Sequence, residues 1–451
     1  MRSFAIFLLL ISVAAGAAEV GWKAGAAKVV ITPGQPMLMA GYAARTKPAE
    51  GTAQELFAKA LALEDGHGKR LVIVTLDLVG VPRALHTWLQ TRLGETHGLP
   101  PESLLLNASH THCGPKVWTR YPPELPAELE TEKTQGEYRQ TLENKLLELI
   151  GDALSELAPA QMSYHRARCG FAMNRRLPVD GSYRNAPNPE GPVDHEVPVL
   201  RVARADGRLR AILFGYACHN TTLSFYQWCG DYAGYAQEYL EADHPGTVAL
   251  FVQGCGGDQN PYPRGRIEHA QFHGRALATA AQAALGTPPR PVTGPLRAAL
   301  EDVELDFAPA PSRTEWEQRA QSREKHTAEY GRRMLARLDR EGKLPERYPY
   351  PVQVIRFGDS LTLVALAGEV VVDYALRLRR ELPGAPLWVA GYCNDVMAYI
   401  PSRRVLQQGG YEAGDAMRFF MQPAPWAPTV EERIIGKVHE LLRAGANPER
   451  K

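Results

Sequence analysis

Two histidines one residue apart stand out first, in Ser109-His110-Thr111-His112-Cys113-Gly114-Pro115. They lie where an apolar run ends in a Gly-Pro loop. In extended chain, residues two apart project to the same side, so His110 and His112 can converge on one point. Neutral imidazole is the commonest metal ligand, and two histidines at a strand end also serve purely structural roles. His219 repeats the theme in Tyr216-Ala217-Cys218-His219-Asn220, again just past an apolar run. Sheet proteins place ligands at such strand ends; a packed loop histidine is the plain alternative. Glu369, in Leu366-Ala367-Gly368-Glu369-Val370, is a carboxylate in apolar company. Burying its charge requires compensation, which a metal supplies, or a helix N-terminus if one begins there.

Two further segments are of interest. In Gly254-Cys255-Gly256-Gly257-Asp258-Gln259-Asn260-Pro261 the glycines would let backbone N–H groups face a ligand. The spacing matches neither a P-loop nor a GxGxxG turn. Tyr399 and Tyr411 stand twelve residues apart in a polar, Pro- and Gly-containing stretch that reads as a long ordered loop, and no sequence rule alone promotes them.

The elements that must position these groups alternate between strand and helix patterns. Strands are expected at 27–32, 57–63, 70–78, 103–109, 161–169, 197–202, 210–217, 248–252 and 387–392, and a hairpin at 350–357 and 360–367 about Gly358-Asp359. Helices are expected at 82–96, 136–157, 269–285 and 429–444. A long charged helix is expected at 314–338, with solvated i,i+4 pairs. A Pro/Asn/Gly-rich loop is expected between 169 and 197. The order predicts an α/β fold, a mixed β-sheet core with flanking helices, in one large catalytic domain over 19–451.

In combination the segments resemble the catalytic domain of the neutral (non-lysosomal) ceramidases. The resemblance is carried by His110-Thr111-His112 with its following Gly-Pro, the strand-end His219, Gly368-Glu369, the tyrosine pair Tyr399 and Tyr411, and the early Ile31-Thr32-Pro33 and Gly41-Tyr42. It implies one zinc ion per chain held by His110, His219, Glu369 and Tyr399. It also implies that His112 contacts substrate, that Tyr411 polarises the amide carbonyl or stabilises an oxyanion, and that Arg175 lines the site. The implied activity is metal-assisted hydrolysis of an N-acyl amide, ceramide to sphingoid base and fatty acid. An amidase or esterase with another substrate, and a zinc-bearing binding protein without turnover, are the alternatives. Where that family has GDxSPN this chain has Gly257-Asp258-Gln259-Asn260-Pro261, which removes the serine as a nucleophile. The immunoglobulin-like C-terminal domain of full-length ceramidases is not expected in the chain.

Composition limits the remaining options. The 451 residues are 45% hydrophobic and 22% charged, with a net charge of +1, which argues against nucleic acid as a partner. A lipid-like or small N-acyl amide is the expected partner. Met1-Arg2, the apolar run from Phe4 to Ala15 and the small residues to Ala18 read as a signal peptide, residues 1–18, so the mature chain is expected to be secreted or periplasmic. No later stretch is apolar enough for a transmembrane segment. Six cysteines show no zinc-knuckle spacing and no disulfide framework. No GxSxG is present. Cys113 beside His112 is the one candidate for a thiol nucleophile.

Overall fold

The computed structural model describes residues 21–117, 129–384 and 386–446. The expected signal peptide lies outside the described residues.

Strand-forming runs build two stacked sheets. The larger orders its strands Val248–Gln253, Leu209–Tyr216, Glu196–Arg204, Ala158–Arg168, Trp22–Val30, Phe57–Glu64, Arg70–Leu76 and Leu104–Ala108, with the short Arg290–Pro291 added to Ala158–Arg168. The interior pairs are antiparallel, while each end of the sheet is a parallel pair. A parallel neighbour demands a crossover. Helix Arg83–His97 provides it at one end and helix Asp231–Asp243 at the other. The second sheet orders Leu296–Asp306, Arg347–Phe357, Leu361–Leu366 and Leu387–Ala390, the last pair again parallel.

The period-two alternation of side chains explains the layering. Leu61, Leu63, Leu71, Ile73 and Leu105 face the second sheet, packing with Ile355, Leu363, Ala365 and Trp388. Their neighbours Ala60, Ala62, Val72, Val74 and Leu106 face the helices, against Leu89, Leu93, Leu146 and Ile150. On the far side of the second sheet, Val352, Val354 and Val364 meet Leu378, Ile434 and Val438. The result is a helix–sheet–sheet–helix sandwich in one domain. Near-continuous apolar runs such as Arg70–Leu76 follow from burial on both faces.

Several local expectations are corrected. The stretch 314–338 is two helices, Arg313–Ala320 and Lys325–Glu341. Ser312 caps the first in a reciprocal box with Glu315, and Glu324 caps the second through the N–H groups of His326 and Thr327. The helices fold back on one another tightly: a Cβ on Gly331 would lie 2.3 Å from the Ala320 nitrogen. The expected loop before 197 contains a hairpin, Ala172–Val179 with Ser182–Asn188, turning at Asp180-Gly181, both at positive φ. Asp-Gly between two strands is the signature of that turn. The expected loop around Tyr399 holds a short strand, Tyr399–Ile400, helix Arg403–Gln408 and a widened helical turn, Tyr411–Asp415.

Candidate active site

The groups singled out in the sequence meet at the C-terminal ends of strands from both sheets. His110 and His112 follow Leu104–Ala108, His219 follows Leu209–Tyr216, and Glu369 follows Leu361–Leu366. Asn107 ties these ends together. Its side-chain amide donates to the Gly391 carbonyl at 2.8 Å, and its oxygen accepts from Gln253 N–H at 2.8 Å. Asn394 adds a second tie, accepting from Leu106 N–H at 2.9 Å.

His110, His112 and His219 are buried and offer ring nitrogens within 4.8 Å of one another, an arrangement able to hold a metal ion. Glu369 joins them: its Oε2 lies 3.2 Å from Nε2 of both His110 and His219. The orientation of each ring follows from the backbone behind it. His110 Nδ1 lies 2.6 Å from the Val79 carbonyl and His219 Nδ1 lies 2.7 Å from the Gly256 carbonyl. A carbonyl only accepts, so Nδ1 carries a hydrogen in both rings and Nε2 is the ring nitrogen turned toward the site. Burial, with the Arg175 charge adding, pushes His219 down to about 3, so its ring is neutral at pH 7. Both Nε2 atoms therefore lie against one carboxylate oxygen that receives no hydrogen bond of good geometry. Acceptors facing acceptors in a buried site fit a cation between them.

Tyr399 completes the cluster, its hydroxyl 3.1 Å from His219 Nε2. Arg175 donates to the Tyr399 hydroxyl at 3.0 Å and to Glu412 at 2.8 Å, and reaches Asn260 at 3.3 Å. Burial pushes the Tyr399 phenol well up, against the opposing pull of Arg175. The Tyr411 ring sits 5.4 Å from that of Tyr399. His112 is held differently from the other rings. Its Nδ1 has no partner, its Nε2 is 3.1 Å from His110 Nε2, and burial keeps the ring neutral. Tyr42 packs edge-on against it at 4.7 Å. The Gly41 backbone, at φ +93°, passes so close that a Cβ would fall 2.3 Å from the His112 ring.

This cluster forms one wall of a cavity of about 360 Å³. His110, His112, Glu369, Tyr399 and Tyr411 lie on it, with Leu38, Met39, Val81, Val396 and Phe420 supplying apolar surface.

The profile described as neutral/alkaline non-lysosomal ceramidase, N-terminal, matches residues 22–299. The chain belongs to that family. Neutral ceramidase A of Dictyostelium discoideum is 27% identical over 256 residues, which is 52% of this chain and 35% of that protein. Neutral ceramidase B of the same organism is 27% identical over 246 residues, 50% of this chain and 33% of that one. The chain thus matches about a third of the length of these ceramidase relatives. Two solved ceramidase structures share the fold at 20% identity. Neutral ceramidase from Pseudomonas aeruginosa superposes with a TM-score of 0.72, covering 94% of this chain and 74% of that one. A structure described as ceramidase complexed with C2 gives 0.71, covering 91% and 73%. Glu369, Tyr399 and Tyr411 lie beyond the 22–299 match, so the ceramidase fold, rather than the profile, covers the second half of the cluster.

All seven residues drawn from the ceramidase resemblance lie at or beside this cluster. The Gly254–Pro261 loop does something other than expected. Gly257 allows close packing beneath the Glu369 carbonyl, where a Cβ would lie at 2.6 Å, and Gly256 supplies the carbonyl that orients His219. Cys113 is buried, its thiol pushed up by burial, which disfavours a thiolate nucleophile. All six cysteines are unpaired and buried. Sequence reading missed Glu412, whose carboxylate bridges Arg175 and Arg176. It also missed Arg45, which donates to the His112 and Ala40 carbonyls.

Proposed function

We propose that this chain is an exported, zinc-dependent hydrolase of N-acyl amides, with ceramide the first substrate to test. The observation that carries the reading is Glu369 Oε2 at 3.2 Å from Nε2 of both His110 and His219, both rings fixed from behind by carbonyls. His110, His219, Glu369 and Tyr399 would hold the ion, since nitrogen and oxygen donors at an open site are what catalytic zinc takes. When bound, zinc supplies Lewis acidity that makes water a nucleophile near neutral pH.

The chain's own residues account for the rest. Leu38, Met39, Val81, Val396 and Phe420 bind the acyl part and exclude water from the reacting bond. Tyr411 and His112 orient the amide carbonyl and donate to its oxygen as charge develops there. His112 lines the cavity and its ring is neutral, so it can take a proton and return it to the departing amine. Arg175 holds the Tyr399 oxygen in place by donating to it. The expected leader at 1–18 supports export.

The test is zinc content of the purified protein together with release of sphingoid base from ceramide in detergent. The reading predicts one zinc per chain, and activity lost on chelation, restored by zinc and absent in His110→Ala. Stoichiometric activity that survives strong chelation would contradict it.

A further inference from the structure

Left-handed backbone gathers behind the histidine cluster. His110 has φ +61°, Tyr392 φ +55° and Asn394 φ +60°. A bulky ring in that region is an outlier, kept only where the surrounding structure over-determines it. The turn Gly391–Asn394 is gripped from three sides. Tyr392 N–H donates to the Gly368 carbonyl at 3.0 Å, just before Glu369, and Cys393 N–H donates to the Leu366 carbonyl at 3.1 Å. Ala108 N–H donates to the Tyr392 carbonyl at 3.3 Å, and Asn394 N–H to the Leu106 carbonyl at 2.9 Å, on the strand that leads into His110. Gly391 N–H donates to the Gln253 carbonyl at 3.1 Å, and a Cβ on Gly391 would lie 2.9 Å from the Gly254 oxygen.

The Tyr392 side chain is fully buried and is not one of the described residues of the cavity wall. Its ring centroid lies 4.5 Å from that of His110, at 43°, and 6.2 Å from that of His219, at 87°. Its hydroxyl stops 3.5 Å from His219 Nδ1, whose hydrogen already goes to the Gly256 carbonyl at 2.7 Å. At that distance the hydroxyl is a packing contact. A buried phenol without a short hydrogen bond is costly, and a left-handed backbone adds to the cost. Two unfavourable features at one residue point to what that residue touches. The Val79 and Gly256 carbonyls fix the Nδ1 direction of each imidazole. One hydrogen bond leaves the ring plane free to tilt about its own line, and a ring packed against both imidazoles stops that tilt.

We infer that Tyr392 is a positioning residue for the zinc ligands, a fixed wedge that holds the His110 and His219 rings at their working separation before the ion binds. This rests on the zinc site proposed above and adds to it a residue outside the ligand set and off the cavity wall. Groups that orient metal ligands from behind contribute about 10–100-fold to metal affinity.

The experiment measures the zinc dissociation constant by competition with a chromophoric chelator, and the visible absorption of the cobalt-substituted protein, in the wild type and in Tyr392→Phe, Tyr392→Leu and Tyr392→Gly. Phe keeps the ring and should bind zinc within about threefold of the wild type, while Leu and Gly remove it and should bind about tenfold or more weakly, with an altered cobalt spectrum. Leu fills part of the space but keeps the strained backbone, whereas Gly relieves the strain and leaves a void. Either variant that folds, judged by thermal unfolding without metal, gives the reading. A merely structural role would lower the metal-free melting temperature and leave the dissociation constant unmoved. Crystals of the metal-free wild type need no variant: both imidazoles should keep their zinc-loaded positions. Rings that swing apart without metal, a Leu or Gly variant that binds zinc as tightly as the wild type, or a Phe variant weakened as much as they are, overturns the inference and leaves the zinc site standing. Wild-type protein that takes up no zinc overturns both.

Discussion

Replacing Glu412 by Gln tests the buried charge arrangement behind the site. Its two oxygens serve Arg175 and Arg176, and all three side chains are at most 4% exposed. Gln keeps the shape and one acceptor but removes the charge, leaving two guanidinium groups in the interior. Removing one partner of a buried ion pair costs about 3–5 kcal/mol. Unfolding entropy near 2.1 cal/mol/K per residue over the 414 described residues is about 0.9 kcal/mol/K, so the melting temperature should fall by about 3–5 °C. Arg175 also donates to the Tyr399 hydroxyl, so turnover should fall with stability. Adding Arg176→Met to Glu412→Gln removes one stranded charge and should recover part of the loss. The assay is thermal unfolding of the three proteins by near-ultraviolet circular dichroism. A shift below about 1 °C for Glu412→Gln, or a double variant less stable than the single, would refute the reasoning.

Gly41→Ala should leave zinc content unchanged but lower kcat by about 100-fold, because its Cβ displaces the His112 ring while His110 and His219 stay in place; unchanged turnover would show that His112 tolerates displacement. The metal-free protein should lose stability as pH falls below about 6.5. Burial lowers His86 to about 4 and His219 to about 3. Below the unfolded value of about 6.5 the unfolded chain binds protons these rings refuse, which costs up to about 1.4 kcal/mol per pH unit for each. The melting temperature of the chelated protein should therefore decline from pH 6.5 toward 4, and less steeply in His86→Gln; a flat profile there would contradict the buried neutral rings.

The parts of the site that were readable in the sequence are those with local signals. His110 and His112 stand at the end of a strand whose apolar run is continuous, and His219 follows a second such run. Their convergence was not readable from pattern alone, because it depends on the two sheets stacking so that Glu369 from the second reaches histidines of the first. The resemblance, not periodicity, provided Tyr399, Tyr411 and Arg175. The hairpin carrying Arg175 had a usable local signal in Asp180-Gly181, obscured by the surrounding prolines and asparagines. Glu412 had none: its partner Arg175 is 237 positions away, and an acid after Gly-Gly-Tyr reads as a solvated loop residue. Arg45 likewise acts through carbonyls that only the folded loop brings together. The glycines of 254–257 were recognisable as special, but packing against Glu369 and orienting His219 are tertiary roles that spacing does not encode.

The central claim is that His110, His219, Glu369 and Tyr399 surround a zinc ion with His112 beside it. Crystals of the purified protein, with diffraction measured on both sides of the zinc absorption edge, test this most directly. The account predicts one anomalous peak per chain, among His110 Nε2, His219 Nε2, Glu369 Oε2 and the Tyr399 hydroxyl, that disappears in His219→Ala and persists in His112→Asn. A peak held by His112 in place of Glu369 or Tyr399, or no peak at this cluster in zinc-loaded active protein, would contradict it.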